Sequence, residues 1–218
     1  MKTKYTQILV VGLIAASFLI GAYLYPHLPE RMASHWDASG SVNGYMSRLW
    51  GLFLMPVIST FLFLALVLIP KIDPLRENIE NFRGHFNVFI LLLFGFLFYA
   101  YVLTLYWNLG YRFNIIQLMA PAFSLMIYYT GVMIKNAKQN WFIGIRTPWA
   151  LSSESVGNRT NRLAGRLFKL AGLLAALGTL FPGYAILLIL APVILAAVYP
   201  IIYSYRAYKV EMNRKVKG

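Results

Sequence analysis

Six apolar runs divide the chain: Ile8–Tyr25, Leu49–Ile69, Phe86–Trp107, Ile115–Ile134, Leu167–Phe181 and Tyr184–Tyr205. None holds an acid or a histidine, and the one base inside a run is Lys169. A hydrocarbon layer of ~30 Å is crossed by ~20 residues of helix, so most of these runs match a full crossing. With 59% hydrophobic and 12% charged residues, the chain is too apolar for a soluble domain of its size. The expected fold is an all-α integral membrane protein with six transmembrane helices and short loops.

Charge orients the six runs. Seventeen of the twenty bases lie before the first run, in the second and fourth connections, at the start of the fifth run, or after the last run. Only Arg31, Arg48 and Arg112 fall on the other side. Lys and Arg in short loops are retained in the cytoplasm, so both termini are expected there, in a multi-pass plasma-membrane protein. The net charge of +13 then records topology and attraction to anionic lipid, and no direct nucleic-acid partner is expected. Lys2 and Lys4 before the first run give it a signal-peptide look. Tyr23-Leu24-Tyr25 follows where a small-residue cleavage site would stand, so the run is expected to be a retained span. The absence of cysteine removes disulfides and thiolate chemistry.

Two three-span units follow. Residues 1–107 carry an outer loop, 26–48, and an inner interfacial helix, 73–85. Residues 108–218 carry the long inner loop 135–166. The outer loop reads as irregular chain, with turn signals at Asp37-Ala38-Ser39-Gly40 and Asn43-Gly44. In the inner helix, Asp73 is expected as N-cap with Pro74 next, and Leu75, Ile79, Phe82 and Phe86 form one apolar stripe suited to the lipid interface. In the long loop, Ser152 is expected to cap a helix with Glu154 in its first turn. Val156, Thr160, Leu163 and Leu167 align beside Arg159, Arg162 and Arg166, a pairing that fits either anionic lipid or an acidic partner. The fifth run is the shortest. Ala171, Ala175 and Gly178, and Gly172 with Ala176, give it the small-residue spacing of close helix packing, as do Gly12 and Ala16 in the first run.

Chemistry is sparse. All seven acids lie in loops or the tail, so no paired carboxylates share a protected cleft. No ionisable group sits in mid-span, as proton- or ion-coupled transport would ask, and no phosphate-cradling glycine loop appears. His27, Glu30 and His35 share the outer loop and are weak metal candidates, but their spacing matches no compact ligand motif. The alternative for His35 is a hydrogen bond within its own turn. The expectation is a protein without enzymatic activity, cofactor or metal; a metal-dependent membrane hydrolase and a passive transport or lipid-binding scaffold are the alternatives. Arg146, between Trp141 and Trp149, could stack on an indole and pin Glu154 or Asp73, either as a clamp of its own loop or as a partner contact.

Two stretches carry a resemblance. Leu28-Pro29-Glu30-Arg31, His35-Trp36-Asp37-Ala38-Ser39-Gly40 and Asn43-Gly44-Tyr45-Met46-Ser47-Arg48 look like the extracytoplasmic loop of a bacterial membrane domain of poorly known function. Ile143-Gly144-Ile145-Arg146-Thr147-Pro148-Trp149, continuing to Arg162-Leu163-Ala164-Gly165, resembles the signature of the SdpI family, as do Ile72-Asp73-Pro74 and Asn78. Gly157-Asn158 departs from the bulky aromatic or charged residues more usual there. The resemblance implies a membrane immunity and signal-transduction protein. It would protect its cell from a secreted peptide or protein toxin and capture a cytoplasmic repressor. His35, Trp36, Asp37, Gly40 and Gly44 would then form the toxin-sensing loop. Asp73, Pro74, Asn78, Gly144, Arg146, Pro148, Trp149, Arg159 and Arg162 would form the inner docking surface.

Overall fold

The computed structural model describes residues 2–217, and side chains from 2 to 214. Its helices are α1 (Thr3–Leu24), α2 (Arg48–Ile72), α3 (Arg76–Glu80), α4 (Arg83–Asn108), α5 (Ile115–Asn136), α6 (Pro148–Ser152), α7 (Glu154–Ala176) and α8 (Ala185–Lys217). Among the described residues, five stretches are long and apolar enough to cross a membrane: Thr3–His27, Arg48–Ile72, Arg83–Asn108, Ile115–Asn136 and Pro182–Arg214. They cover five of the six apolar runs. The remaining run, Leu167–Phe181, lies mainly in the second half of α7, whose first half is polar. Large side chains such as Leu19, Phe61 and Leu195 stand about 70% exposed around the bundle. Faces this apolar are stable against lipid rather than water.

Hydrogen bonds sort the connections into two ends. At one end Asn87 Nδ2 donates to Thr3 Oγ1 (3.0 Å) and Asn78 Nδ2 to the Gln139 carbonyl (2.8 Å). There too the Trp141 N–H donates to Asp73 Oδ2 (2.9 Å) and Ser153 Oγ to Glu211 Oε1 (2.7 Å). The start of α1, both long basic connections and the end of α8 therefore meet on one side. At the opposite end lie residues 25–47, the α4–α5 connection and the α7–α8 turn, where Gln117 Nε2 donates to the Thr179 carbonyl (3.3 Å).

The tightest packing joins α5 and α7. A Cβ on Gly131 would lie 2.6 Å from the Gly165 carbonyl oxygen, and a Cβ on Gly165 would lie 2.6 Å from that of Gly131. Further along, Gly172 faces the Tyr128 backbone and Gly178 faces Ala120. Contacts that descend α5 while ascending α7 make the two helices antiparallel. The buried face of α7 is thus Val156, Gly157, Thr160, Asn161, Ala164, Gly165, Ala171, Gly172 and Ala175. This corrects the expectation of a stripe resting on lipid: Val156 and Thr160 are sealed in the protein, and the lipid role does not fit them. By contrast a Cβ on Gly12 would meet nothing within 4 Å, so the expected small-residue contact on α1 is not made by Gly12.

Three other expectations change. First, the outer loop is not irregular, and the fold is not wholly helical: β1 (Arg31–Trp36) and β2 (Val42–Ser47) pair antiparallel as a hairpin. β1 lacks clean alternation, and the ladder shifts register on both sides of His35. Second, the 73–85 segment is not one interfacial helix. Asp73 ends α2, α3 begins at Arg76, and a break precedes α4 at Arg83. Ile79, Phe82 and Phe86 are buried against Val10, Met133, Ile143 and Ala164, so the stripe faces the core and not the lipid. Third, Ser152 closes α6, and the cap of α7 is Ser153, whose Oγ accepts from the Val156 N–H. The basic tail continues the last helix, α8. At ~1.5 Å per residue the 33 residues of α8 extend about 50 Å, well beyond a hydrocarbon layer.

The glycine contact generates a test. Gly165→Leu should push α7 off α5 and cost ~2–3 kcal/mol, as overpacking of a close interface does. Gly12→Leu, into open space, should leave stability unchanged. Thermal unfolding of both proteins in detergent checks this; equal midpoints would show that the α5–α7 approach is not a determinant of stability.

Candidate functional site

The hairpin is built on an Asx turn. Asp37 accepts hydrogen bonds from the Ser39 N–H (2.8 Å), Ser39 Oγ (2.6 Å) and the Ser41 N–H (3.0 Å). These donors, the Ser39 hydroxyl first, hold its carboxyl below the usual aspartate range. Gly40 sits at φ +82°, and a Cβ there would lie 2.8 Å from Asn114 Oδ1 at the start of α5. Gly44 faces His35, and a Cβ would come 2.9 Å from the His35 Cβ. The exposed His35 ring itself bonds through Nδ1 to Asn43 Oδ1. Asp37, Gly40, Gly44 and His35 thus shape the hairpin.

Trp36 attaches the hairpin to the bundle. Its ring packs edge-on to Trp107 (5.7 Å between centroids) and against the Leu103, Ile115 and Met119 cluster, while its Nε1 is buried without a hydrogen-bond partner. Asn108 makes the second attachment. Its Oδ1 accepts from the Ala33 N–H (2.7 Å), and its Nδ2 donates to the Ala33 carbonyl (3.0 Å), as a neighbouring strand would. Arg48 ties the base of the loop, reaching the carbonyls of Tyr25 (3.2 Å) and Pro29 (3.4 Å). Below the hairpin lies a groove of about 170 Å³, walled by Ala33, Met46, Trp50, Met55, Ile58 and Tyr101. Trp50 and Ile58 are about half exposed, so the groove opens toward the lipid-facing side of α2.

At the opposite end, residues 137–147 run without regular structure and find their hydrogen bonds in side chains. Asp73 is 2% exposed; Oδ1 accepts from the Leu75 N–H (2.7 Å) and Oδ2 from the Trp141 N–H (2.9 Å). Asn140 is fully buried; Oδ1 accepts from the N–H groups of Phe142 (2.9 Å) and Ile143 (2.6 Å), and Nδ2 donates to the Lys138 and Ile143 carbonyls. Asn161 accepts from the Ile145 N–H (2.9 Å) and donates to the Ala137 carbonyl (3.3 Å). Gly144, at φ +106°, leaves no room for a side chain between Arg146 and Asn161. Buried irregular backbone needs such partners, because each unmade bond costs ~1–3 kcal/mol.

Arg146 is placed differently from the expectation. It stacks on neither indole: Trp141 is 55% exposed, and the Trp149 ring packs on Tyr205 (5.0 Å). Nor does it grip a carboxylate. Nη1 donates to the Asn140 carbonyl (3.1 Å), while Nε and Nη2 are buried without a hydrogen-bond partner among the described residues. Burial pulls the guanidinium down to about 10, opposed by the Asp73 charge, so it stays cationic at neutral pH. Thr147 caps α6 by accepting from the Ala150 N–H (3.1 Å), with Pro148 next, and its hydroxyl meets Ser204 of α8 (2.9 Å). Pro74 is exposed between α2 and α3. Arg159 reaches Glu211 Oε2 (3.1 Å), and Arg162 stays on the exposed face with Nε near the Asn158 carbonyl (3.4 Å).

The structure therefore joins Asp73, Asn78, Gly144 and Arg146 around one loop, and sets Arg159 and Arg162 on the neighbouring face of α7. It does not join the metal candidates: His27 lies against Tyr23 (5.8 Å), His35 turns to Asn43, and among the described residues no three His, Asp or Glu side chains gather at a metal-binding distance. Sequence reasoning missed Asn108, Asn140, Asn161 and Ser204, the polar residues that hold both ends together.

Comparisons with known proteins match two stretches of the chain. Residues 12–60 match the model of a domain of unknown function (DUF1648), and residues 136–204 match that of the SdpI/YfhL protein family. The immunity protein SdpI of Bacillus subtilis (strain 168) is 30% identical over 213 residues, covering 96% of this chain and 97% of that protein. No solved structure matches the chain.

The clamp is testable by exchange. Asp73→Ala strips acceptors from the Trp141 and Leu75 amides, at ~1–3 kcal/mol for each group left buried and unpaired. Hydrogen-exchange mass spectrometry should show protection lost across residues 137–147 and retained in the hairpin. Unchanged exchange in that loop would refute the role given to Asp73.

Proposed function

The chain belongs to the SdpI/YfhL protein family, and on that premise we propose that it is a multi-pass membrane immunity protein, protecting its cell from a secreted toxin. The hairpin is the outward face of the protection site. The groove beneath it supports this reading most directly: it is apolar, walled by Met46, Trp50, Met55 and Ile58, and open at the level where a hydrophobic toxin would enter the bilayer. Recognition would then rest on shape and apolar contact, with the hairpin as lid, and requires no enzymatic step.

Six crossings and cytoplasmic termini belong to the same proposal. The antiparallel run of α7 against α5 supports the sixth crossing, since the contacts from Gly165 to Gly178 follow α5 from Lys135 back to Ala120. Concentration of bases at the clamp end supports its cytoplasmic side. The clamp loop, with the exposed Trp141 and Phe142, together with Arg159 and Arg162 of α7, would be the surface offered to a cytoplasmic repressor. α4 links the two regions, with Asn108 under the hairpin at one end and Phe82 and Phe86 beside the clamp at the other. Signalling needs two arrangements of the bundle that toxin and repressor bind unequally.

Because the chain has no cysteine, sidedness has a direct test. In intact cells a membrane-impermeant thiol reagent should label Ala38→Cys and spare Ser152→Cys until the cells are opened; the reverse pattern would invert the topology. A second test is survival. Expression in a bacterium sensitive to the toxin of an SdpI-type system should protect it, His35→Ala should keep protection, and Trp36→Ala should lower it about tenfold or more at equal membrane abundance. Full protection from Trp36→Ala would remove the hairpin anchor from the mechanism.

A further inference from the structure

Where α5 ends and α7 begins its close approach, a polar cavity of about 260 Å³ is lined by Lys135, Asn136, Ala137, Lys138, Asn158 and Arg162. Three cations and two amides line it, and among the described residues no carboxylate does. Ala137 is buried and forms its floor, while the cationic side chains are exposed around it. None of Lys135, Lys138 and Arg162 belongs to either ion pair found among the described residues, which are Arg83–Glu80 and Arg159–Glu211. The nearest acid on α7, Glu154, is held by the Asn158 amide (3.4 Å), one turn before Arg162.

One of these cations has a structural use. Lys135 lies in the last turn of α5, where a positive charge offsets the helix dipole. Its stem is pinned across Gly165, whose added Cβ would stand 2.6 Å from the Lys135 Cβ. That role does not extend to Lys138, beyond the helix, or to Arg162, brought from α7. Their convergence follows from the Gly131–Gly165 contact, which draws α7 onto the end of α5.

We infer that this cavity binds a phosphate-bearing anion, with the phosphodiester of an acidic phospholipid headgroup as its natural source. A guanidinium with two ammonium groups offers forked and point-charge donors to phosphate oxygens, and Asn136 and Asn158 add polar edges. The depth fits the lipid source: Lys135 is one residue from the end of a helix able to cross the bilayer, so the cavity lies at headgroup level. The site would bind lipid whether or not the hairpin meets a toxin.

The full chain in neutral detergent tests it, with thermal unfolding followed at constant ionic strength. Phosphatidylglycerol should raise the midpoint saturably, and phosphatidylcholine should not. Lys138→Gln with Arg162→Gln should weaken the apparent affinity about tenfold, while Arg166→Gln, which matches the charge change of either single variant one turn along the exposed face, should not. Lys138→Gln alone provides the same readout if the double variant does not fold. A saturable response to inorganic phosphate equal to that of the lipid, lost in the same variants, would keep the site and assign it to free phosphate. Equal loss in Arg166→Gln, or no saturable response, would overturn the site. So would stabilisation by polyglutamate alone, which would assign the face to an acidic protein.

Discussion

The backbones of α5 and α7 touch where Gly131 faces Gly165, and the clamp end of the protein is arranged by that approach. Two helices without side chains at the crossing come close enough for the next buried polar residue along α7, Asn161, to reach past the end of α5. Its amide there binds the Ala137 carbonyl and the Ile145 N–H, so the irregular loop is held by the helix pair itself. Small residues at a helix crossing allow this close backbone contact. The hold on the polar loop thus depends on small residues that lie outside its signature motif.

Two regions of different chemistry result. The hairpin is fixed by an aromatic anchor, Trp36 on Trp107, and by the peptide-like pairing of Asn108 with Ala33. The clamp is fixed by buried amides and one carboxylate. Both rest on α4, which contributes Asn108 at one terminus and Phe86, Asn87 and Ile90 at the other. An immunity-type membrane protein of this family therefore presents two stiff surfaces on a bundle whose remaining perimeter is apolar.

The five helices long and apolar enough to cross a membrane were legible because lipid imposes one simple demand, a long apolar run, and the uneven division of bases is read directly from the sequence. The small-residue face of α7 was partly legible: Ala171, Gly172, Ala175 and Gly178 showed its spacing, but Gly165 and Asn161 looked like part of a polar loop. The hairpin was not, because Arg31–Trp36 lacks alternation and its pairing is irregular beside His35. Asn108, Asn140 and Asn161 were hidden for a different reason. An amide on a surface and an amide that completes buried backbone have the same local sequence, and only the fold separates them. The same holds for the 73–85 stripe, whose apolar spacing would suit lipid or protein equally and which the core captured.

A two-stranded ribbon ordinarily leaves both flanks ready to recruit another extended segment, the route by which sheets grow or aggregate. Here Asn108 occupies the flank of β1 at Ala33 with a side-chain amide that donates and accepts like a main-chain neighbour. Any extended peptide seeking main-chain pairing is left with the β2 flank, near Tyr45 and Ser47, so the ribbon has a closed side and an open one.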